Sequence, residues 1–392
     1  MTTRGFIKQA MPKTNAYPKN VLTEFDRALV VAHYFGFVPT AAPKVTRRDL
    51  ELAADCIEHP HYDASEKLAV LRNYVETTAK SLNHPTAFIY EKQAARRKFG
   101  SHALHFVGSL SAIAEATLIR ATLSILAEEG YKNLRVEINC IGDKESINNY
   151  ERELLNHVKK SGINLDEELR QSIRKDVFSL FRLERAEIVP IVETAPSSIT
   201  FLSAQSRAHF KEVLEYIEAL GVEFRLTPRL VGEKNHASHT IFAVKNTVED
   251  KDNTLAVGYR YSRLGRFLGL RKEIPIAGVN VFSEGKDGEK RTYKKLPKPK
   301  FYLIQLGREA KTRVLPIIEL LRSHRIPLYH LLGKDKLGIQ LSHAESLKTP
   351  YLIIIGQKEA LENTATVRNV ATREQDTVSV ADLPRFLKSV AL

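Results

Sequence analysis

A basic segment with two prolines, residues 286–300, splits the chain into two stretches of different hydrophobic pattern, so any fold must accommodate a break there. It holds seven basic residues and two acids, with prolines at Pro297 and Pro299, and reads as a solvated linker. Upstream, Val21, Leu22, Phe25, Leu29, Ala32 and Phe35 follow helical spacing up to Gly36, and residues 106–126 predict a second, longer helix. Residues 134–138 alternate as a half-buried strand does. A helix at 207–220 and a strand at 223–231 flank Gly221, and further strands are expected at 239–245 and 254–258. Consecutive strands among interspersed helices predict an α+β domain with a largely antiparallel sheet. Downstream, short apolar strands at 301–306, 327–332 and 351–355 alternate with helices at 312–322 and 338–347. That pattern predicts a small α/β domain with a mostly parallel core. The expected organisation is a first domain over 1–285 with a helical insertion around 150–200, a linker over 286–300, and a second domain over 301–392.

The chain has 392 residues, of which 43% are apolar, enough to build real cores and too many for a disordered state. No run approaches the ~20 apolar residues of a membrane helix. Two cysteines, Cys56 and Cys140, are too few for a disulfide framework and fit a reducing, cytoplasmic setting. The first 23 residues carry Arg4, Lys8, Lys13 and Lys19 without an acid, but Pro12 and Pro18 interrupt them. No apolar h-region follows, so no secretory signal is read there. Fifty-nine Lys and Arg against 46 Asp and Glu give a net charge of +13, which suits a polyanionic partner.

Few local motifs carry chemistry. Cys56, His59 and His61, or His236 and His239, lack four ligands at zinc-finger spacing, so they are expected to be surface or turn residues and no metal is expected. Gly258, Gly265 and Gly269 do not sit between a strand and a helix as a dinucleotide fingerprint requires, and no phosphate-binding Gly-x-x-x-x-Gly-Lys loop is present. Basic clusters are more informative. Arg260, Arg263, Arg266, Arg271 and Lys272 follow one another without an intervening acid, and Arg96, Arg97 and Lys98 form a second cluster.

Several segments, taken in order, resemble a histidyl-tRNA synthetase, a class II aminoacyl-tRNA synthetase. Arg4-Gly5 and Met11-Pro12 resemble that family's opening, and Gly36-Phe37 through Ala42-Pro43 resemble its motif 1. Ala114-Glu115, then Asn139-Cys140-Ile141-Gly142 and Asn149-Tyr150, match in order and spacing. Arg229-Leu230-Val231, Gly258-Tyr259-Arg260-Tyr261 and Pro275–Gly278 continue the register, and residues 301–392 are similar to the family's anticodon-binding domain. The resemblance implies a homodimer paired through motif 1, and RNA contact by Arg96, Arg97 and Lys98, by Arg260, Arg263 and Arg266 at the mouth of the site, and by Lys334, Lys336, Lys358 and Arg368.

The catalytic positions depart from the family. Activation needs cations that hold ATP phosphates as charge develops on the transferring phosphoryl. Arg96 falls at the motif 2 arginine, and Lys98 stands where a glutamate is expected. Gly232 replaces the arginine of the histidine motif, with His236 and Ala237 at its two tyrosines. Motif 3 falls on Phe282-Ser283-Glu284-Gly285, keeping Glu284 but not the arginine. Each lost cation costs on the order of 3–4 kcal/mol at the transition state. Arg96 and Glu284 are thus remnants, no catalytic residue and no cofactor is expected, and the expected function is an inactive paralogue that binds tRNA or another structured RNA. Two alternatives stand beside it. One is a diverged but active histidine–tRNA ligase using ATP and Mg, with Lys234 or Lys286 compensating. The other is a regulatory partner of ATP phosphoribosyltransferase, disfavoured by the retained second domain and the lost histidine-pocket tyrosines.

Overall fold

The computed structural model describes residues 26–54, 56, 63–78, 87–91, 99–183, 185–248, 251–284 and 298–390. Eight strands form the first sheet: β1 (Val38–Pro39), β2 (Ala87–Glu91), β3 (Phe99–Val107), β4 (Arg135–Gly142), β5 (Phe224–Leu226), β6 (Ser238–Val248), β7 (Lys251–Arg260) and β8 (Ile276–Glu284). Their order is β1-β2-β3-β8-β7-β6-β4-β5. The six inner strands pair antiparallel, and only the edge pairs β1/β2 and β4/β5 are parallel. This is the α+β architecture that the sequence predicts. Among the described residues no helix is long and apolar enough to cross a membrane.

Strand alternation sends neighbouring side chains to opposite faces, and each face has its own core. Helices Arg27–Tyr34, Ile113–Glu128 and Ala204–Ala219 cover one face, packing on Ile89, Leu104, Phe242 and Val279. On the other face lie helix Ala64–Thr78 and the elements between Lys144 and Phe201, packing on Tyr90, Val107, Ile241 and Tyr259.

Five strands form the second sheet, β9 (Phe301–Gln305), β10 (Leu328–His330), β11 (Tyr351–Ile355), β12 (Thr364–Asn369) and β13 (Gln375–Ser379), in the order β10-β9-β11-β12-β13. The first three are parallel, and β12 and β13 are added antiparallel.

Two sequence expectations shift. Phe106 and Val107 end β3, where they pair with Ala87 and Ile276, and the helix begins only at Ile113. An apolar run buried on both sides reads alike as strand or helix. The strand expected over 223–231 shortens to Phe224–Leu226, because Pro228 has no N–H for a ladder. Of the 286–300 linker, residues 286–297 lie outside the described residues.

The two sheets share one continuous apolar core through helix Arg308–Ser323. Around it, Glu319 pairs with Arg120 of the first sheet's long helix at 2.5 Å and with Arg322. Burial pushes the Glu319 carboxyl up, but hydrogen bonds from Arg322 and Arg120 outweigh it and hold it below its usual range. His330 Nε2–H donates to the Tyr34 carbonyl oxygen at 3.2 Å, and burial lowers its pKa to about 4. Gly36 is needed beside it. Its φ is +81°, and a Cβ there would lie 2.6 Å from His330 Cε1. Gly36→Ala should therefore lower stability by about 2–3 kcal/mol through left-handed strain and overpacking. In urea denaturation the Gly36→Ala/His330→Ala double variant should be less destabilised than the two single variants added together; simple additivity would mean that the close packing of these residues is misassigned.

Candidate functional site

The motif residues that carry the resemblance hold the scaffold. Asn139 on β4 donates from Nδ2 to the carbonyls of Pro228 and Leu230, at 3.2 and 3.0 Å, and Ser198 donates to its Oδ1. That fixes the approach to residues 231–237. Gly142 has φ +74°, and a Cβ there would meet Ser146 at 2.5 Å. Tyr150 donates to the Pro196 carbonyl at 3.1 Å.

Arg260 and Glu115 form a bidentate ion pair. Arg260 is 1% exposed; its Nε and Nη2 each lie 2.6 Å from a Glu115 oxygen. Its remaining donors reach the Ser109 and Ser111 carbonyls at 2.8 and 3.1 Å. His209 adds a contact to Glu115 at 2.7 Å. Burial raises the Glu115 pKa, but the charges and hydrogen bonds of Arg260 and His209 prevail and bring it to about 2. Arg260 is thus corrected from an RNA contact to an interior ion pair: it lies at the end of β7 on the side of the Ile113–Glu128 helix, where no phosphate can reach it.

The opposite face carries a buried polar network. Tyr90 Oη donates to Glu66 at 2.7 Å and lies 3.1 Å from His105 Nε2, while Tyr261 Oη lies 2.7 Å from His105 Nδ1. One assignment satisfies all three bonds: Tyr261 donates to Nδ1, Nε2–H donates to Tyr90, and Tyr90 donates to Glu66. Burial pushes both phenols well above the usual tyrosine range. Fully buried Lys67 donates to Asn280 Oδ1 at 2.9 Å and lies 5.4 Å from the Tyr261 ring centroid. Gly278 leaves room for this packing, since a Cβ there would meet His105 Nδ1 at 2.5 Å. None of Glu66, Lys67, His105 or Asn280 was singled out by sequence reasoning. Glu66 and Lys67 read as an ordinary charged pair on a helix, and only tertiary packing turns them inward.

Gly232, at the position of the family arginine, is buried, and its carbonyl accepts from Arg182 at 2.9 Å. Lys234 pairs with Glu151. Arg263 is half-buried and donates to the Lys234 carbonyl at 2.8 Å, while Arg266 is at the surface, paired with Glu273 at 2.6 Å. The sequence placed His236 in a turn or at the surface; it lies in a turn but is fully buried. His239 is partly buried, and burial followed by the charges of His209 and Arg260 lowers its pKa to about 4. Arg96, Arg97, Lys98, His59 and His61 lie outside the described residues, and Glu284 is described only through its backbone pairing with Phe99.

On the second sheet, Lys334, Lys336 and Lys358 gather where β9, β10 and β11 end. Lys336 and Lys358 are exposed and Lys334 partly so. Arg368 lies elsewhere, opposite Leu352 near the start of β11. With Thr364 and Thr366 it lines one face of β12, beside Gln375, Thr377 and Ser379 of β13. The result is a half-exposed polar strand pair, with three lysines placed just beyond the ends of the parallel strands.

A family model, the anticodon binding domain, matches residues 300–390. The chain is 30% identical over 336 residues to histidine–tRNA ligase 1 of Shouchella clausii, covering 82% of this chain and 79% of that protein. It is 26% identical over 313 residues to the histidine–tRNA ligase of Bacillus subtilis, covering 77% and 73%. In fold it is similar to the apo histidyl-tRNA synthetase of S. aureus, with a TM-score of 0.52 and 20% identity over 91% of this chain and 92% of that one.

Removing the Glu115 carboxylate leaves Arg260 buried without its counter-charge, so Glu115→Gln should cost about 3–5 kcal/mol. The pH dependence has a definite sign. A folded pKa of about 2 against an ordinary 4.5 contributes stability that is complete above the higher value and is lost as pH falls towards the lower one. Acid titration of the unfolding midpoint should therefore show a shallower fall from about pH 4.5 to 2 in Glu115→Gln than in the native chain.

Proposed function

The chain belongs to the histidyl-tRNA synthetase family, and from that premise we propose that it binds tRNA or another structured RNA without activating histidine. The supporting observation is the turn that replaces the family's histidine motif. Gly232 stands at the arginine, and the neighbouring cations Arg182, Lys234 and Arg263 are each engaged by the protein's own groups. The motif 3 arginine is also absent, with Gly285 at its place. These residues do not fit an ATP phosphate clamp.

RNA contact is assigned to the second sheet. Single-stranded loops expose base edges and faces, and the strand pair presents the Arg368 guanidinium beside exposed Gln375 and Thr377, whereas Thr366 donates its hydroxyl to Glu359. Lys334, Lys336 and Lys358 supply phosphate contacts. Arg266, with Arg96, Arg97 and Lys98, extends the contact onto the first sheet's domain. Arg263 serves there by holding the turn. The protein acts as a homodimer through residues 36–43, next to which Val45 and Leu50 expose apolar surface; a single 44 kDa species in light scattering would overturn that assignment.

A second reading, an active histidine–tRNA ligase, is favoured by the names of the relatives. Histidine-dependent pyrophosphate exchange separates the two: no exchange above a no-enzyme control is expected, and clear exchange establishes the ligase. RNA binding is read by filter retention of bulk tRNA across a salt series. Each neutralised phosphate contact should lower the salt slope by about 0.7–0.9. Lys334→Ala/Lys336→Ala should weaken many RNAs alike, whereas Arg368→Ala should change discrimination among them. Failure of the native chain to retain RNA at low salt would contradict the proposal.

A further inference from the structure

Cys56 and the turn at 232–237 are far apart in sequence, yet the fold brings three donors together: Cys56 Sγ, a Glu233 carboxylate oxygen and a His236 ring nitrogen, all within 4.8 Å of one another. Glu233 is 3% exposed and His236 0%; Cys56 is partly exposed. His236 Nε2 faces the Glu233 carboxylate. Its Nδ1 is buried with no hydrogen-bond partner among the described residues, an unusual state for an interior imidazole. The three ligand types do not form any motif in the sequence; only Glu233-x-x-His236 is visible there, and its partner lies 177 positions upstream in the chain.

We propose that Cys56, Glu233 and His236 bind a single zinc ion, with water at the fourth position. Sulfur, nitrogen and oxygen donors together suit Zn²⁺, whereas Mg²⁺ and Ca²⁺ select all-oxygen sets. Tetrahedral bonds of about 2.0–2.3 Å place ligand atoms roughly 3.3–3.6 Å apart, so any pair near the 4.8 Å limit draws in, and His236 Nε2 and the Glu233 oxygen, now in direct contact, part to admit the ion. Charge also balances. A thiolate and a carboxylate neutralise the dication, and the neutral complex carries no net charge into the interior, where an unpaired ion is costly.

The surroundings hold the ligands in place. Arg182 and Arg263 donate to the carbonyls of Gly232 and Lys234, on either side of Glu233. The backbone N–H of Ala237 donates to the Glu233 carbonyl at 2.9 Å. The Tyr259 ring packs edge-on against His236, with ring centroids 6.2 Å apart. A turn fixed on both sides presents two ligands in a preset orientation, and this loses less entropy on binding than a mobile loop. The residues at the family's histidine-motif positions, Glu233 and His236, thereby acquire a different ligand.

This inference does not rest on the RNA reading, and its test reads metal alone. Full-length chain without a polyhistidine tag, purified from zinc-supplemented medium without chelators, is assayed by elemental mass spectrometry. About one zinc per chain is expected for a three-ligand site of this kind. The content should fall at least ~10-fold in Cys56→Ser, Glu233→Gln and His236→Ala, and remain unchanged in Cys140→Ser and His239→Ala. Because a buried variant can misfold, the native chain is also loaded with Co²⁺. A thiolate-to-cobalt charge-transfer band is expected, retained in Cys140→Ser and absent in Cys56→Ser of unchanged circular dichroism. A native chain that neither retains zinc nor gives the cobalt band overturns the proposal, as does full zinc content in Cys56→Ser.

Discussion

The buried ion pair between Glu115 and Arg260 joins the parts on which the rest depends. Arg260 ends β7 and spends its remaining donors on the Ser109 and Ser111 carbonyls, so sheet, loop and helix meet at one guanidinium. A buried charge is tolerable only when paired and hydrogen-bonded, and this one makes four hydrogen bonds, two to its counter-charge and two to backbone carbonyls. The same Ile113–Glu128 helix presents Arg120 and Ser124 to Glu319 on the second sheet's helix. One helix therefore fixes both the centre of the first sheet and the docking of the second.

With that helix on one face, the chemistry belongs to the other. There Tyr90, His105 and Asn280 of the sheet, with Tyr261 just beyond β7, bond to one another or to Glu66 and Lys67 of helix Ala64–Thr78. Low local dielectric makes such a network strong when complete and costly when broken. A face closed by its own side chains is suited to rigidity. The polar strands β12 and β13, by contrast, leave donors and acceptors half exposed, which suits an external partner.

How much could be read in the sequence depended on whether contacts were local. The 301–355 alternation of strands and helices is set by short-range periodicity, and β11 occupies the predicted 351–355. Boundaries failed where burial on both faces erased the period, as at Phe106. Arg260 was misjudged because a run of arginines at similar spacing gives no sign of which one has a carboxylate across the sheet; Glu115 stands 145 positions away. The grouping of Cys56 with Glu233 and His236 was invisible for the same reason.

The family scaffold, its anticodon-binding domain and its altered turn are what the proposal of RNA binding without phosphate chemistry rests on. The most direct measurement is peptide mapping by mass spectrometry of ultraviolet crosslinks between the full-length chain and bulk tRNA. Crosslinks concentrated on residues 334–368 are the result expected. Their absence above a control protein, or their restriction to the first sheet's polar face around Lys67 and Asn280, would contradict it.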